Sequence, residues 1–206
     1  MRTVWCGAAA WLLAACAPRM EEGGSRGDPV ARAAAEAAVY RAVVEHYYLA
    51  PGVERVVLRA ETRAGGDLRR RPGIPAVRER QRALRLPRDL LGDFARRNAA
   101  SGALPPPEAL GLPVPVALVT AADLELMRGR PGEEPPGHFW RAFNARFPGA
   151  RGVMLFSRVG FDRALTRAAV DVTHSYGDVG AQSRVVALSR RGGRWVVDGE
   201  VRTSVS

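Results

Sequence analysis

Between Gly152 and Val201 the chain repeats one pattern four times: a short run of alternating apolar and polar residues, then a link too short to cross a sheet. The runs are Gly152 to Phe161, Leu165 to Tyr176, Ser183 to Ser189 and Arg194 to Val201. A two-residue period puts one set of side chains on a core and the other on the opposite face, the signature of strands. Val153, Leu155, Val159 and Phe161 form the apolar set of the first run, Ala168, Val170 and Val172 that of the second, and Trp195, Val197 and Val201 that of the last. Arg191-Gly192-Gly193 is a tight turn. Strands joined this closely pair antiparallel, which predicts a meander.

The meander needs a partner layer. Pro29 to Leu49 supplies one, with Val39/Tyr40, Val43/Val44 and Tyr47 recurring at helical spacing. Asp28 before Pro29 is its expected cap, and Pro51-Gly52 its stop. Val53 to Thr62 is a strand with Val56, Leu58 and Ala60 on one face and Val57 and Arg59 on the other. Shorter helices are expected over Pro87 to Asn98 and over Pro136 to Phe147, the second with an aromatic core stripe of Phe139, Trp140, Phe143 and Phe147. Pro113 to Thr120 is a strand interrupted by Pro115. The fold class that follows is α+β: an antiparallel β-meander packed against a long N-terminal helix, a layout shared with cystatin-like and NTF2-like domains. Residues 29–206 form one such domain, with an Arg/Pro-rich irregular region over about 63–113.

The start of the chain has a different logic. Arg2 is followed by an almost wholly apolar stretch from Val4 to Ala15 and then by Cys16, the order of a secretory signal. Leu13-Ala14-Ala15-Cys16 resembles the lipobox of bacterial lipoproteins, in which small residues admit the peptidase and the cysteine thiol takes the lipid. The resemblance implies a signal peptide over 1–15, cleavage before Cys16, and a diacylglyceryl group on its sulfur, with an acyl chain such as palmitate on the new amino terminus. Several chains together exceed the marginal membrane affinity of one. Residues 16–28, polar and Gly-rich, form the expected tether, and Ala17 after the cysteine directs the protein to the outer membrane, facing the periplasm or the cell surface. Cys6 leaves with the signal peptide, so the mature chain holds one cysteine and no internal disulfide.

The net charge of +10 invites a nucleic-acid reading, but all 31 basic residues are arginine and none is lysine, a codon bias rather than a recognition surface. Much of the excess sits between Arg63 and Arg97, including Arg69-Arg70-Arg71, Arg78, Arg80, Arg82, Arg85 and Arg88. Aromatics do not interleave with them, so base stacking has no support. The expected partners are the membrane, through the lipid, and an envelope protein or anionic surface met by the arginines, which grip phosphate bidentately.

Trp140, Phe143, Phe147-Pro148-Gly149, Gly152, Ser157-Arg158-Val159-Gly160-Phe161, Ala168 to Val172, Tyr176-Gly177 and Gly193-Arg194-Trp195-Val196-Val197 together resemble a widespread family of exported bacterial proteins. The resemblance implies no activity, cofactor or catalytic residue. Family members often carry Cys-Gly pairs where this chain has Tyr176-Gly177-Asp178-Val179-Gly180, so no disulfide carries over.

Catalytic chemistry has few candidates. His46, His138 and His174 lack metal-ligand spacing, and no phosphate loop, dinucleotide fingerprint or Gly-x-Ser-x-Gly occurs. Asp171, Thr173, His174, Ser175, Tyr176 and Asp178 cluster at one strand end, but alternation points Asp171 and His174 to opposite faces. Ser157 to Asp162 is the other cluster, where Gly160 marks a bulge or a close backbone approach and Phe161 a core anchor. The expectation is a lipid-anchored binding or scaffold domain without catalytic, cofactor or metal residues. The alternative is a hydrolase-like enzyme whose pocket lies near His174.

Overall fold

The computed structural model describes residues 28–65, 84–130, 132, 134–177 and 180–205. The signal peptide, Cys16, nearly all of the expected tether, and the arginines from Arg69 to Arg82 lie outside the described residues.

Helix α1 (Pro29–Tyr47) begins where Asp28 accepts a hydrogen bond from the Val30 amide at 2.9 Å, with Pro29 in the first turn. An amide that has no helical acceptor is satisfied there. Strand β1 (Arg55–Arg59) follows, then α2 (Arg88–Arg97), the one-turn α3 (Pro107–Leu110), β2 (Val116–Val119), α4 (Ala121–Arg128) and α5 (His138–Arg146). The C-terminal part is β3 (Ala150–Phe156), β4 (Gly160–Phe161), β5 (Arg167–Ser175), β6 (Ala181–Arg191) and β7 (Arg194–Val205).

The strands make one seven-stranded, mostly antiparallel sheet in the order β2-β1-β3-β5-β6-β7, with β4 beside β5. The C-terminal half is antiparallel throughout. It is not a pure meander, because β1 pairs in parallel with both β2 and β3. Long connections carrying helices intervene between these strands and return the chain to the same end, whereas a hairpin cannot.

Helices cover both faces. On one, Tyr40, Val43 and Val44 of α1 pack with Val56, Leu58, Met154, Phe156, Val170, Val172, Val186 and Leu188. On the other, α2 packs Leu90, Leu91 and Phe94 on Ala169, Val185 and Ala187, while α4 and α5 pack Leu124, Met127, Phe143 and Phe147 on Val57, Val119 and Val153. The aromatic stripe of α5 is core: Phe143 and Phe147 are buried, and Phe139 and Trp140 pack half-buried against them.

Two irregularities change which face a side chain reaches. The run from Gly152 to Phe161 is one strand by pattern but two in space, with Ser157 to Val159 between β3 and β4. This interruption shifts the phase by one. Val153 therefore faces α4 and α5, while Val159 and Phe161 join the α1 core with Met154 and Phe156. In β7 the register slips between the pairs Ala187–Gly199 and Leu188–Val197, leaving Asp198 as an extra residue. A bulge flips all that follows it. Val197 packs with the α1 core, Val201 packs with the α2 cluster, and Glu200 is left opposite Val186 on the α1 face.

Around the interruption between β3 and β4, side chains from both helical layers satisfy backbone groups that the strand ladder leaves open. Buried Glu36 of α1 accepts from the Val159 amide at 3.2 Å, and Asp93 of α2 from the Phe161 amide at 2.9 Å. Asn98 accepts from the Arg158 amide and donates to its carbonyl, at 2.8 and 2.9 Å. The Tyr40 hydroxyl donates to the Ser157 carbonyl at 2.9 Å. The two carboxylates are themselves paired, Glu36 with Arg97 at 2.5 Å and Asp93 with Arg32 and Arg96. This polar joint ties α1, α2 and the sheet together.

Candidate functional site

The C-terminal end of α1 delivers two adjacent tyrosines, Tyr47 and Tyr48, to one end of the sheet, where Pro51-Gly52 turns the chain back into β1. Strand β5 brings His174 to the same place, β6 brings Gln182 and Arg184, and the bulge at Asp198 brings Glu200. Arg184 is only 7% exposed. Its guanidinium donates to Glu200 Oε2 at 2.8 Å and to Gln182, and lies 4.5 Å from the Tyr47 ring centre and 5.9 Å from that of Tyr48. Pairing and stacking together make so buried a charge tenable.

His174 Nε2 lies 2.6 Å from the Arg151 carbonyl oxygen, which fixes that nitrogen as the protonated one. The ring meets Tyr48 edge-on at 4.8 Å and Tyr176 at 5.0 Å. This close approach depends on Gly152 (φ +102°), where a Cβ would sit 2.1 Å from the Ser175 carbonyl oxygen. The groups surround a recess of about 260 Å³ walled by Tyr48, Val56, Arg55, Met154, His174 and Arg184. A second recess of about 440 Å³, bounded by Trp140 and Asn144, shares Arg151, Gly152, His174 and Tyr176 with it.

Burial dominates the electrostatics. It pushes the Tyr48 hydroxyl up to about 12 despite the nearby Arg184 charge, and raises Tyr47 further, helped by its hydrogen bond to Glu200. Burial also works against the Glu200 carboxylate, but the Tyr47 hydrogen bond and Arg184 outweigh it and hold that group below the usual range. His174 is held below its ordinary value of 6.5, first by burial and then by the Arg184 charge, against the Arg151 hydrogen bond. The unfolded chain therefore takes up a proton at a pH where the folded ring still resists it. The His174 contribution to stability is complete above about pH 6.5 and declines as pH falls from there toward the folded ring's own lowered value. Urea unfolding of the wild type between about pH 7.5 and about pH 5.5 should show stability falling by at most about 1.4 kcal/mol per pH unit, and His174→Gln should flatten that slope. An equal slope in the variant assigns it to other groups.

The cluster at 171–178 is divided by the sheet. His174 and Tyr176 line the recesses, whereas Asp171 pairs with Arg63 at 2.7 Å and Thr173 with Ser183 at 2.7 Å. Asp178 lies outside the described residues. Ser157 is a structural hydroxyl, accepting from the Asp171 amide at 2.9 Å and donating to the Arg158 carbonyl at 3.1 Å. His46 rests edge-on against Tyr47, and His138 Nδ1 lies 3.0 Å from Glu134. Among the described residues no three His, Cys, Asp or Glu side chains gather around a common point.

Tyr47, Tyr48, Arg55, Arg151 and Arg184 are absent from the sequence reading as site residues. One signal was available: Gln182 and Arg184 fall in the same alternation phase as Val186 and Leu188, so two polar groups occupy the α1 face of a strand. A charge in an apolar phase marks either a paired buried group or a site. Comparison with family models, curated proteins and solved structures finds no match for this chain.

Proposed function

We propose that the chain is a lipid-anchored protein of the bacterial cell envelope whose folded part is a non-catalytic binding domain. The observation that carries the binding reading is the recess at the end of α1, where aromatic walls meet His174 and Arg184, each already bonded to a neighbour. His174 gives its Nε2 proton to a backbone carbonyl, and Glu200 is held by Arg184 and Tyr47. Groups so engaged shape a pocket and orient a guest; Nδ1 of His174 keeps its lone pair, but among the described residues no carboxylate or hydroxyl bonds to the ring to complete a catalytic pair. That favours binding over the hydrolase alternative at His174.

The anchor rests on Leu13-Ala14-Ala15-Cys16, and outer-membrane placement on Ala17. The arginines from Arg69 to Arg88 are the candidate contact for an anionic surface or envelope protein, since Arg63, Arg96 and Arg97 at the ends of the basic stretch are paired with Asp171, Asp93 and Glu36. The covering of one sheet face by α1 supports the helix-on-sheet layout of cystatin-like and NTF2-like domains, with the parallel strands β1 and β2 as an addition to it.

Replacing Cys16 with Ser tests the anchor. Wild-type protein from intact cells should sediment with membranes and carry the mass of attached acyl chains, and Cys16→Ser should lose both. A native polypeptide that still begins at Met1, or one free in the cytosol, overturns this reading.

A further inference from the structure

The recess has a charge balance and a set of unmet hydrogen bonds that specify a guest. Three arginines line it, Arg55, Arg151 and Arg184, and no carboxylate does. Arg184 is compensated by Glu200 behind it, and Arg151 donates to the Pro51 carbonyl at 2.9 Å. Arg55 has no carboxylate partner among the described residues, and its Nε is buried without an acceptor. Tyr48 is 9% exposed, and its hydroxyl, also on the wall of the recess, is buried and lacks a hydrogen-bond partner. A buried donor left unmet carries a desolvation cost that an incoming acceptor removes. Apart from Gln182, which Arg184 engages, the remaining wall is mainly flat rings and aliphatic side chains, among them Tyr47, Tyr48, His174, Val56 and Met154.

From this juxtaposition we infer that the recess binds a small organic monocarboxylate carrying a flat ring. The carboxylate faces Arg55 and accepts from the Tyr48 hydroxyl, and the ring lies among the tyrosines and His174. Arg and carboxylate match as a fork, and the charged acceptor strengthens each bond. At about 260 Å³ the space falls below the roughly 300–1,000 Å³ of drug-sized sites, so the guest is a single-ring compound. Inorganic phosphate fits poorly, because its hydration would be surrendered to Val56 and Met154 with nothing apolar gained.

This inference rests on the binding-domain reading, and the two fail differently under one titration. Phenylacetate is titrated calorimetrically into the full chain held in detergent, with phenylacetamide as the uncharged isostere, cyclohexylacetate as the non-flat one, and orthophosphate as the inorganic anion. Phenylacetate should saturate, and the other three should bind at least about tenfold more weakly. Tyr48→Phe should weaken phenylacetate about tenfold while leaving the thermal midpoint unchanged or higher, since it removes an unmet buried hydroxyl. Arg55→Met, which keeps the aliphatic stem, should weaken it at least as much. Equal affinity for the amide, tighter orthophosphate, no saturation, or full affinity in both variants overturns the ligand assignment alone. Chemical conversion of phenylacetate, seen by mass spectrometry after the titration, overturns the binding-domain reading.

Discussion

Gly160→Ala lowers the stability of the fold by about 3 kcal/mol or more, and Gly92→Ala, two residues before Phe94 on α2, raises it by about 0.5–1 kcal/mol. The same added methyl group has opposite signs because the two sites differ in what it meets. At Gly160 a Cβ would stand 2.5 Å from Phe94 Cβ, 2.7 Å from Phe94 Cα and 2.9 Å from its amide nitrogen. Two of these atoms are helix backbone, so no rotamer relieves the clash. Helix α2 has to lift, taking Leu90, Leu91 and Phe94 off the sheet and Asp93 and Asn98 off the loop they hold. At Gly92 the new Cβ meets only the end of Arg96, at 3.6 Å, and alanine suits a helix interior better than glycine. Urea unfolding with unchanged slope checks both values. A loss below about 0.5 kcal/mol in Gly160→Ala would mean that α2 slides freely over β4.

Asp93→Ala costs about 3–4 kcal/mol. The carboxylate caps the buried Phe161 amide and balances Arg32, whose guanidinium also lies 5.4 Å from the Phe161 ring centre. Truncation leaves the amide without an acceptor and the cation without its anion, and each loss is expensive where water is scarce. Asp93→Asn keeps an acceptor for Phe161 and discards only the charge, so about half of the loss returns. Equilibrium unfolding of the two variants separates these parts. Equal losses would assign the whole effect to the ion pair and none to the cap.

Much of the architecture could be read before any coordinates, and the places where reading failed have physical causes. Helix α1, with Asp28 at its cap, and the phase of Ala168, Val170 and Val172 follow from local periodicity and local hydrogen bonding. The parallel pairing of β1 does not, because register between distant strands is decided by the packing of what lies between them. Alternation alone puts Val153 and Val201 on the wrong face, because the count runs straight through an interruption at Ser157 and a bulge at Asp198, both set by tertiary contacts. Helix α4 has a cap that is legible in sequence, Thr120 and Asp123: the Thr120 hydroxyl accepts from the Asp123 amide at 3.1 Å, and Asp123 accepts from the Thr120 amide at 2.9 Å. The recess was half visible. His174 and Tyr176 lie together in sequence, but Tyr48, Arg55, Arg151 and Arg184 reach them only through the strand order β1-β3-β5-β6.

The join of parallel and antiparallel halves at β3 has a kinetic meaning. Strands β6 and β7 meet across a turn at Gly192-Gly193, so their pairing closes a minimal loop. Strand β1 must find β2 with everything from Ala60 to Pro115 still slack between them, an entropic toll collected before any contact rewards it. Assembly is therefore expected to run from the carboxyl end of the chain toward its beginning, with the tyrosines that wall the recess docking onto a platform whose other half is already built.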